Sequence, residues 1–212
     1  MNRSDWIGLL IVGTVVFLFV CQSTDAFTPR KKICNSIDNR CYSTVEKYSN
    51  PDNASEMMAK LNAFNIELLR HLRQKYIFDN NKHKASPLVA YLLHNYNPDN
   101  IIENAPIGKE NTSYVDDKGK VFAVCLREKE SGKNRLHRQE VLEFVVIHEM
   151  AHLTLEDYGH STEFWRNFKF LLTEAKAAGL HDPQNYAQSP VTYCSVLVDY
   201  SPYYDDTLES MQ

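Results

Sequence analysis

The chain has 212 residues, of which 43% are hydrophobic, and its formal net charge at neutral pH is −4. A chain of this length buries one sizeable core and is too short for two typical domains. Nucleic-acid-binding proteins usually carry a strongly basic face, which this balance of charges does not suggest. We therefore expect one domain with short attachments and no nucleic-acid partner.

The N-terminus contains an uncharged apolar run over residues 6–21. As a helix it reaches about 24 Å, which is short of a hydrocarbon core of about 30 Å but tolerable with local thinning of the bilayer. A cleaved signal peptide and a single-pass membrane anchor both fit residues 1–26. The basic residues 30–32 favour the anchor, with the domain on the cytoplasmic face. Cleavage would instead give a secreted or lumenal protein.

Residues 27–54 are polar, and we expect them to form a linker. Four cysteines follow Cys21, namely Cys34, Cys41, Cys125 and Cys194. They allow disulfides, with Cys34 and Cys41 closing a short loop, or four buried free thiols. No Cys-x-x-Cys pair is present to hold a second, structural zinc.

Apolar periodicity predicts the main elements of the domain. Helices are expected over residues 55–78 and 86–97, over 136–155, and from a cap at Ser161 or Thr162 to Gly179. Two strands, 112–115 and 120–126, are predicted to pair across the turn 116–119.

A His-Glu-x-x-His motif lies in an apolar run within the predicted helix 136–155. His148 and His152 are one helical turn apart on the same face, so both imidazoles can reach one metal ion. Glu149 projects beside them, where its carboxylate can take a proton from water. The motif predicts a catalytic zinc ion with Glu149 as the general base.

A catalytic zinc needs a third protein ligand. We choose His160, because Gly159 allows the backbone to turn back towards the helix. Glu174 on the next helix is a rival ligand. A second pattern, His-Glu-x-x-His-x-x-Gly-x-x-His, would need glycine at Leu155 and histidine at Tyr158, so it fails. Glu156, Asp157 and Glu163 are candidates for orienting the imidazoles.

The segment HEMAHLTLEDYGHSTEFW resembles the active site of WLM-type and SprT-like zinc metallopeptidases, which are gluzincin-like enzymes. Residues 112–196 also resemble a WLM-like group encoded by large DNA viruses, through TSY, VFAVCLR, FWRNFKFLLTEA and PVTYC. The resemblance covers roughly 85 residues and little of the first 110. It implies zinc on His148, His152 and His160, with Glu149 as general base.

The resemblance also implies an α+β, zincin-like fold in which helices and a small sheet or hairpin lie beside the active-site helix, behind the N-terminal membrane helix. The predicted domain spans residues 55–200, and residues 201–212 form an acidic tail. In such folds a strand holds an extended peptide, which suggests residues 121–126 here. Tyr158 or Tyr193 would be placed to hydrogen-bond a reaction intermediate.

The expected activity is hydrolysis of peptide bonds in a protein or peptide substrate, with the enzyme tethered to a membrane. Cellular WLM-type and SprT-like proteins are associated with proteolysis of proteins that are crosslinked to DNA. The absence of a basic face argues against that substrate here. A second hypothesis is a non-catalytic, membrane-anchored zinc protein that serves as a scaffold. It does not explain why a glutamate occupies position 149.

Overall fold

The computed structural model describes residues 29–79, 83–104, 112–128, 135–156, 159–209 and 211. The described residues form four α-helices, a five-stranded sheet and a small hairpin near the end of the chain. The helices are α1 (Pro51–Tyr76), α2 (Ser86–Asn95), α3 (Gln139–His152) and α4 (Thr162–Ala177). The strands are β1 (Arg30–Cys34), β2 (Cys41–Val45), β3 (Ile101–Glu103), β4 (Tyr114–Asp116), β5 (Val121–Val124), β6 (Val191–Tyr193) and β7 (Val196–Val198).

The main sheet has five strands in the order β1-β2-β3-β5-β4. Two antiparallel hairpins, β1–β2 and β4–β5, are joined through the short strand β3, which is parallel to β2 and β5. Because hairpins form locally, β3 is the strand that unites the two halves of the sheet. The pair β6–β7 forms a separate two-stranded sheet.

Helix α1 contacts β1, β2 and β3 and supplies much of the core. Its apolar residues recur at three- and four-residue spacing, and Met58, Leu61, Leu68 and Leu72 are fully buried. Pro51 occupies the first turn, where its missing N–H leaves no helical hydrogen bond unmade. The predicted helix is confirmed. It begins at Pro51, four residues earlier than expected, because proline is tolerated in the first turn of a helix.

Helix α3 lies in the centre of the domain, between α1 and α4. It is apolar around most of its circumference, with nine buried residues that include Glu149. Such a helix is stable only when neighbours cover it on several sides. The predicted motif helix is confirmed, with shorter ends than the predicted 136–155.

Strands β1 and β2 lie within residues 27–54, the stretch that we expected to be a linker. They form the outer hairpin of the sheet, and the disulfide Cys34–Cys41 joins them at directly opposed positions. Buried Glu103 on β3 accepts a hydrogen bond from the Val45 backbone N–H and pairs with Arg127 at 2.6 Å. These contacts fix the hairpin to the rest of the domain.

The expected fold class needs correction at the N-terminus. Within the described ranges, none of the helices combines the length and apolar composition that crossing a bilayer requires. The predicted membrane helix is therefore not part of the fold that the described residues form. The run on which it rested, residues 6–21, lies outside the described residues. The α+β class holds, with a mixed five-stranded sheet in place of the small sheet or hairpin that we expected.

Candidate metal centre

The last turn of α3 carries the first two histidines of the site. His148 and His152 are half-buried, with ring centroids 5.0 Å apart. The helix ends at His152. Just beyond it, the Thr154 hydroxyl accepts a hydrogen bond from the Asn167 side chain on α4 at 2.8 Å. This contact holds the end of the motif helix against α4.

His160 returns to the same point from the loop before α4. Gly159 has φ 129°, a conformation that favours glycine, as the predicted turn requires. The Ser161 hydroxyl accepts a hydrogen bond from the Phe164 N–H and caps α4, as predicted. The indole of Trp165 stacks on the His160 imidazole at 5.5 Å. Turn, cap and stacking together position the third imidazole.

The three imidazoles form a nearly equilateral triangle. Each pair of ring centroids is 5.0 Å apart, and one nitrogen from each ring lies within 4.8 Å of the others. The Nε2 atoms of His148 and His160 are 3.1 Å apart. Tetrahedral zinc with Zn–N bonds near 2.0–2.1 Å places its ligand nitrogens about 3.3 Å from one another. The cluster therefore fits a zinc ion.

The protonation of these rings also suits a cation. Burial, together with the neighbouring imidazoles, lowers the pKa of His148 to about 3. Burial and the nearby His160 lower the pKa of His152 to about 4, and burial lowers the pKa of His160. All three rings are neutral at pH 7, the form in which imidazole binds metals.

Glu149 is buried beside the imidazoles, with 4% of its surface exposed. Burial raises the pKa of its carboxyl group to about 8. The residue lines two cavities, and His148 and His160 also belong to the lining of both. A cation on the three imidazoles would favour the ionised carboxylate. The environment of Glu149 therefore also fits a metal in the histidine cluster.

The rival ligand Glu174 does not lie in this cluster. Its carboxylate is fully buried between α4 and α1, where it accepts hydrogen bonds from Lys75 and Tyr76 and pairs with His71 at 3.0 Å. Glu156 and Glu163 line a cavity of about 790 Å³, and His160 belongs to the same lining. Asp157 and Tyr158 lie outside the described residues.

The strand next to the site is β4, not the predicted 121–126. Strand β5 lies between β3 and β4, so neither of its edges is at the border of the sheet. Strand β4 is at that border, and residues 112–115 line a cavity of about 190 Å³ together with all three histidines and Glu149. The prediction is corrected because β3, which the sequence analysis missed, pairs with the other edge of β5.

Tyr193 lies close to the site, but its hydroxyl is already engaged. It hydrogen-bonds to Ser113, whose Oγ also accepts from the Cys125 N–H at 3.0 Å. The disulfide Cys125–Cys194 then joins the end of β5 to the β6–β7 turn. Sequence reasoning missed Ser113, Trp165 and this second disulfide. The short segments TSY, VFAVCLR, FW and PVTYC contain these residues, but their spacing predicts no contact between them.

Comparison with known proteins gives viral relatives. The chain is 26% identical to an uncharacterized protein of Acanthamoeba polyphaga mimivirus over 193 residues, which is 91% of this chain and 93% of that protein. An uncharacterized protein of Invertebrate iridescent virus 6 is 32% identical over 91 residues, which are 43% of this chain and 51% of that protein. No family model and no solved structure matches the chain.

Another such protein, from Invertebrate iridescent virus 3, is 35% identical over 112 residues, which cover 53% of this chain and 67% of the relative. At this identity and coverage the two share one fold. The chain therefore belongs to the same family of uncharacterized viral proteins as this relative from Invertebrate iridescent virus 3.

Proposed function

We propose that this chain is a zinc-dependent peptidase that hydrolyses peptide bonds of a protein substrate. One observation supports this function above all: the buried Glu149 lines one cavity with three neutral imidazoles whose nitrogens are within 4.8 Å of one another. A purely structural zinc site is closed by four protein ligands and needs no such group. Here the three histidines would hold a metal ion and leave a position for water.

His148, His152 and His160 would hold the zinc ion, which when bound supplies Lewis acidity towards a water molecule and the scissile carbonyl. Glu149 acts as the general base: its carboxylate takes a proton from the attacking water and delivers it to the leaving amine. The apolar surroundings of Glu149 exclude bulk water and strengthen its interaction with charges that develop during the reaction.

An extended substrate would lie along residues 112–115, at the border of the sheet and next to the imidazoles. Backbone hydrogen bonding to a strand at this position gives affinity without dependence on the peptide's sequence. It also places the peptide next to the imidazoles and Glu149, which line the same cavity as residues 112–115. No strand other than β4 borders this cavity in the part of the chain that the structure describes.

The test compares the purified full-length chain with Glu149→Gln and, as a matched control, Glu140→Gln, which is exposed on the same helix. Zinc content and casein hydrolysis are measured on each. We expect about one zinc per chain in all three, with hydrolysis lost only in Glu149→Gln. Full activity of Glu149→Gln would exclude its role as the base. Zinc without any hydrolysis in the wild type would favour the scaffold hypothesis.

A further inference from the structure

We infer that this enzyme selects substrates with a large apolar side chain beside the scissile bond, and that the cavity between α3, α4 and the β6–β7 hairpin holds that side chain. The inference rests on the proposed peptidase function. It adds a class of substrate, which neither the metal ligands nor the general base specifies.

The cavity has a volume of about 320 Å³ and opens directly onto the metal centre. His148, Glu149 and His160 form part of its lining. A side chain that enters it therefore belongs to a residue whose peptide bond lies at the reacting groups.

The inner walls are apolar and rigid. Phe144 and Val145 on α3 and Phe168 on α4 are almost completely buried, and the rings of Phe144 and Phe168 are 5.0 Å apart. The indole of Trp165 packs against Phe168 at 6.3 Å. Because these side chains belong to two packed helices, the shape of the cavity exists before a substrate binds.

The outer wall is the β6–β7 hairpin, whose apolar side chains remain exposed. Val196 is 44% and Leu197 is 60% exposed, and both line the cavity. The Cys125–Cys194 disulfide anchors the hairpin at its turn. An apolar side chain that filled the cavity would remove these two residues from water, which is favourable.

The polar groups of the cavity do not suit a charged side chain. The hydroxyl groups of Ser113 and Tyr193 are already hydrogen-bonded to each other. Asp199 also belongs to the lining, but it is exposed and therefore screened by water. Burying a glutamate here would leave its charge without a buried partner, at a high cost. A lysine would find a buried carboxyl group only in Glu149, the proposed general base, and a salt bridge to Glu149 would block the reaction. Leucine, methionine and phenylalanine have the volume and the polarity that the walls accept.

The experiment gives the zinc-loaded full-length chain a mixture of short synthetic peptides with randomised sequences, and identifies the cleavage products by mass spectrometry. We expect leucine, methionine or phenylalanine to predominate at one position adjacent to the cut. Two peptides that differ only there, with leucine or lysine, are then compared. We expect kcat/KM to be roughly 10- to 100-fold higher for the leucine peptide.

Leu197→Asp tests the cavity itself, and Phe78→Asp is the matched control, because Phe78 is 64% exposed and lies outside the cavity. We expect Leu197→Asp to reduce the leucine-to-lysine ratio roughly tenfold, and Phe78→Asp to leave it unchanged. Since both peptides meet the same enzyme preparation, the ratio does not depend on the fraction of folded protein.

Failure of the inference is distinguishable from failure of the proposed function. Cleavage without preference at either position beside the cut, or a ratio that Leu197→Asp leaves unchanged, would overturn the inference and leave the peptidase intact. A predominance of charged residues there would also overturn it. No cleavage of any peptide by the zinc-loaded wild type would overturn the proposed function, and the inference with it.

Discussion

His160 is the most exposed of the three histidines and the one that is not on α3. Its position depends on the turn at Gly159 and on the Trp165 indole that stacks against its ring. Its pKa is lowered by burial alone, without the effect of neighbouring imidazoles that contributes at His148 and His152. A metal ion therefore gains this ligand only if the loop remains in place.

Replacing His160 by alanine should weaken zinc binding strongly. Two imidazoles remain, and losing a direct ligand should cost more than losing an orienting contact, so we expect zinc affinity to fall more than about a hundredfold. Competition with a chromogenic chelator measures it. His94→Ala, which removes an exposed histidine of α2, is the control and should bind zinc as the wild type does. Equal affinity of the two variants would remove His160 from the ligand set.

Gly119 shows how a single residue fixes the β4–β5 turn against the helices. Its φ is +88°, and a Cβ atom built there would lie 2.3 Å from the backbone oxygen of Asn95. The Asn95 side chain in turn donates a hydrogen bond to the Leu153 carbonyl oxygen at the end of α3. The turn, the end of α2 and the end of α3 therefore meet without room for a side chain.

The variant Gly119→Ala should lower the free energy of unfolding by at least about 2 kcal/mol, through backbone strain and steric overlap together. Gly179→Ala is a matched control, because Gly179 has φ +68° but no atom within 4 Å of an added Cβ. It should lose only about 1 kcal/mol, the cost of the backbone conformation alone. Urea unfolding measures both. Equal losses in the free energy of unfolding would mean that the backbone moves away from Asn95 without an energetic cost.

At the scale of elements, α1 and α4 are joined by a buried carboxylate. Glu174 on α4 accepts hydrogen bonds from the Lys75 ammonium group and the Tyr76 hydroxyl of α1, and it pairs with His71. Burial by itself raises the pKa of Glu174, but the hydrogen bonds from these three residues outweigh it, so the net pKa is lowered. The folded state therefore favours the ionised carboxylate.

The variant Glu174→Gln should lower the free energy of unfolding by about 1–3 kcal/mol at pH 7, because the charge-assisted hydrogen bonds are lost. The folded pKa lies below the ordinary value of 4.5. The ionic contribution is therefore complete above that value and disappears as the pH falls through the folded pKa. The difference from wild type should stay constant from pH 7 to about 5 and narrow below about pH 4.

Urea unfolding at several pH values gives this difference. Glu67→Gln is the control: Glu67 forms an exposed pair with Arg70 on α1, and such pairs contribute little to stability. A difference between Glu174→Gln and wild type that stayed the same down to pH 3 would show that shape, not charge, makes Glu174 important.

The elements that the sequence predicted well are those with a strong local signal. Helix α3 is apolar around its circumference and α1 has a regular apolar stripe, so both were predicted, and the spacing of His148 and Glu149 placed them correctly. Strands β1 and β3 are five and three residues long. Only two of the five residues of β1 are even half-buried. Such strands form through pairing with distant segments, which local periodicity does not reveal.

Contacts between distant segments also account for the parts of the site that the sequence did not predict. His148, Glu149, His152 and His160 lie within thirteen consecutive residues, so their spacing carries the information. The cavity wall on the β6–β7 hairpin and the border strand β4 reach the site only through tertiary packing. The pairing of Cys125 with Cys194 spans 69 residues and has no signal in local spacing.

At the scale of the whole molecule, the two disulfides hold different parts of the chain together. Cys34–Cys41 closes a short hairpin loop at the outer edge of the sheet. Cys125–Cys194 ties the end of β5 to the hairpin that forms the cavity wall, and its residues are 69 apart in sequence. The second bridge therefore restricts the unfolded chain far more than the first.

Replacing each pair by serine separates these contributions. Loop-closure entropy predicts a loss of about 4 kcal/mol for Cys125→Ser with Cys194→Ser, and of about 2 kcal/mol for Cys34→Ser with Cys41→Ser. Urea unfolding of the two double variants and of the wild type measures the free energies. The Cys125–Cys194 disulfide also anchors the outer wall of the cavity. We therefore expect its removal to reduce the preference for apolar side chains as well, and the variant without Cys34–Cys41 serves as the control. Equal losses of stability, or a smaller loss for the long loop, would contradict the entropic account and indicate that the β6–β7 hairpin is held by its packing.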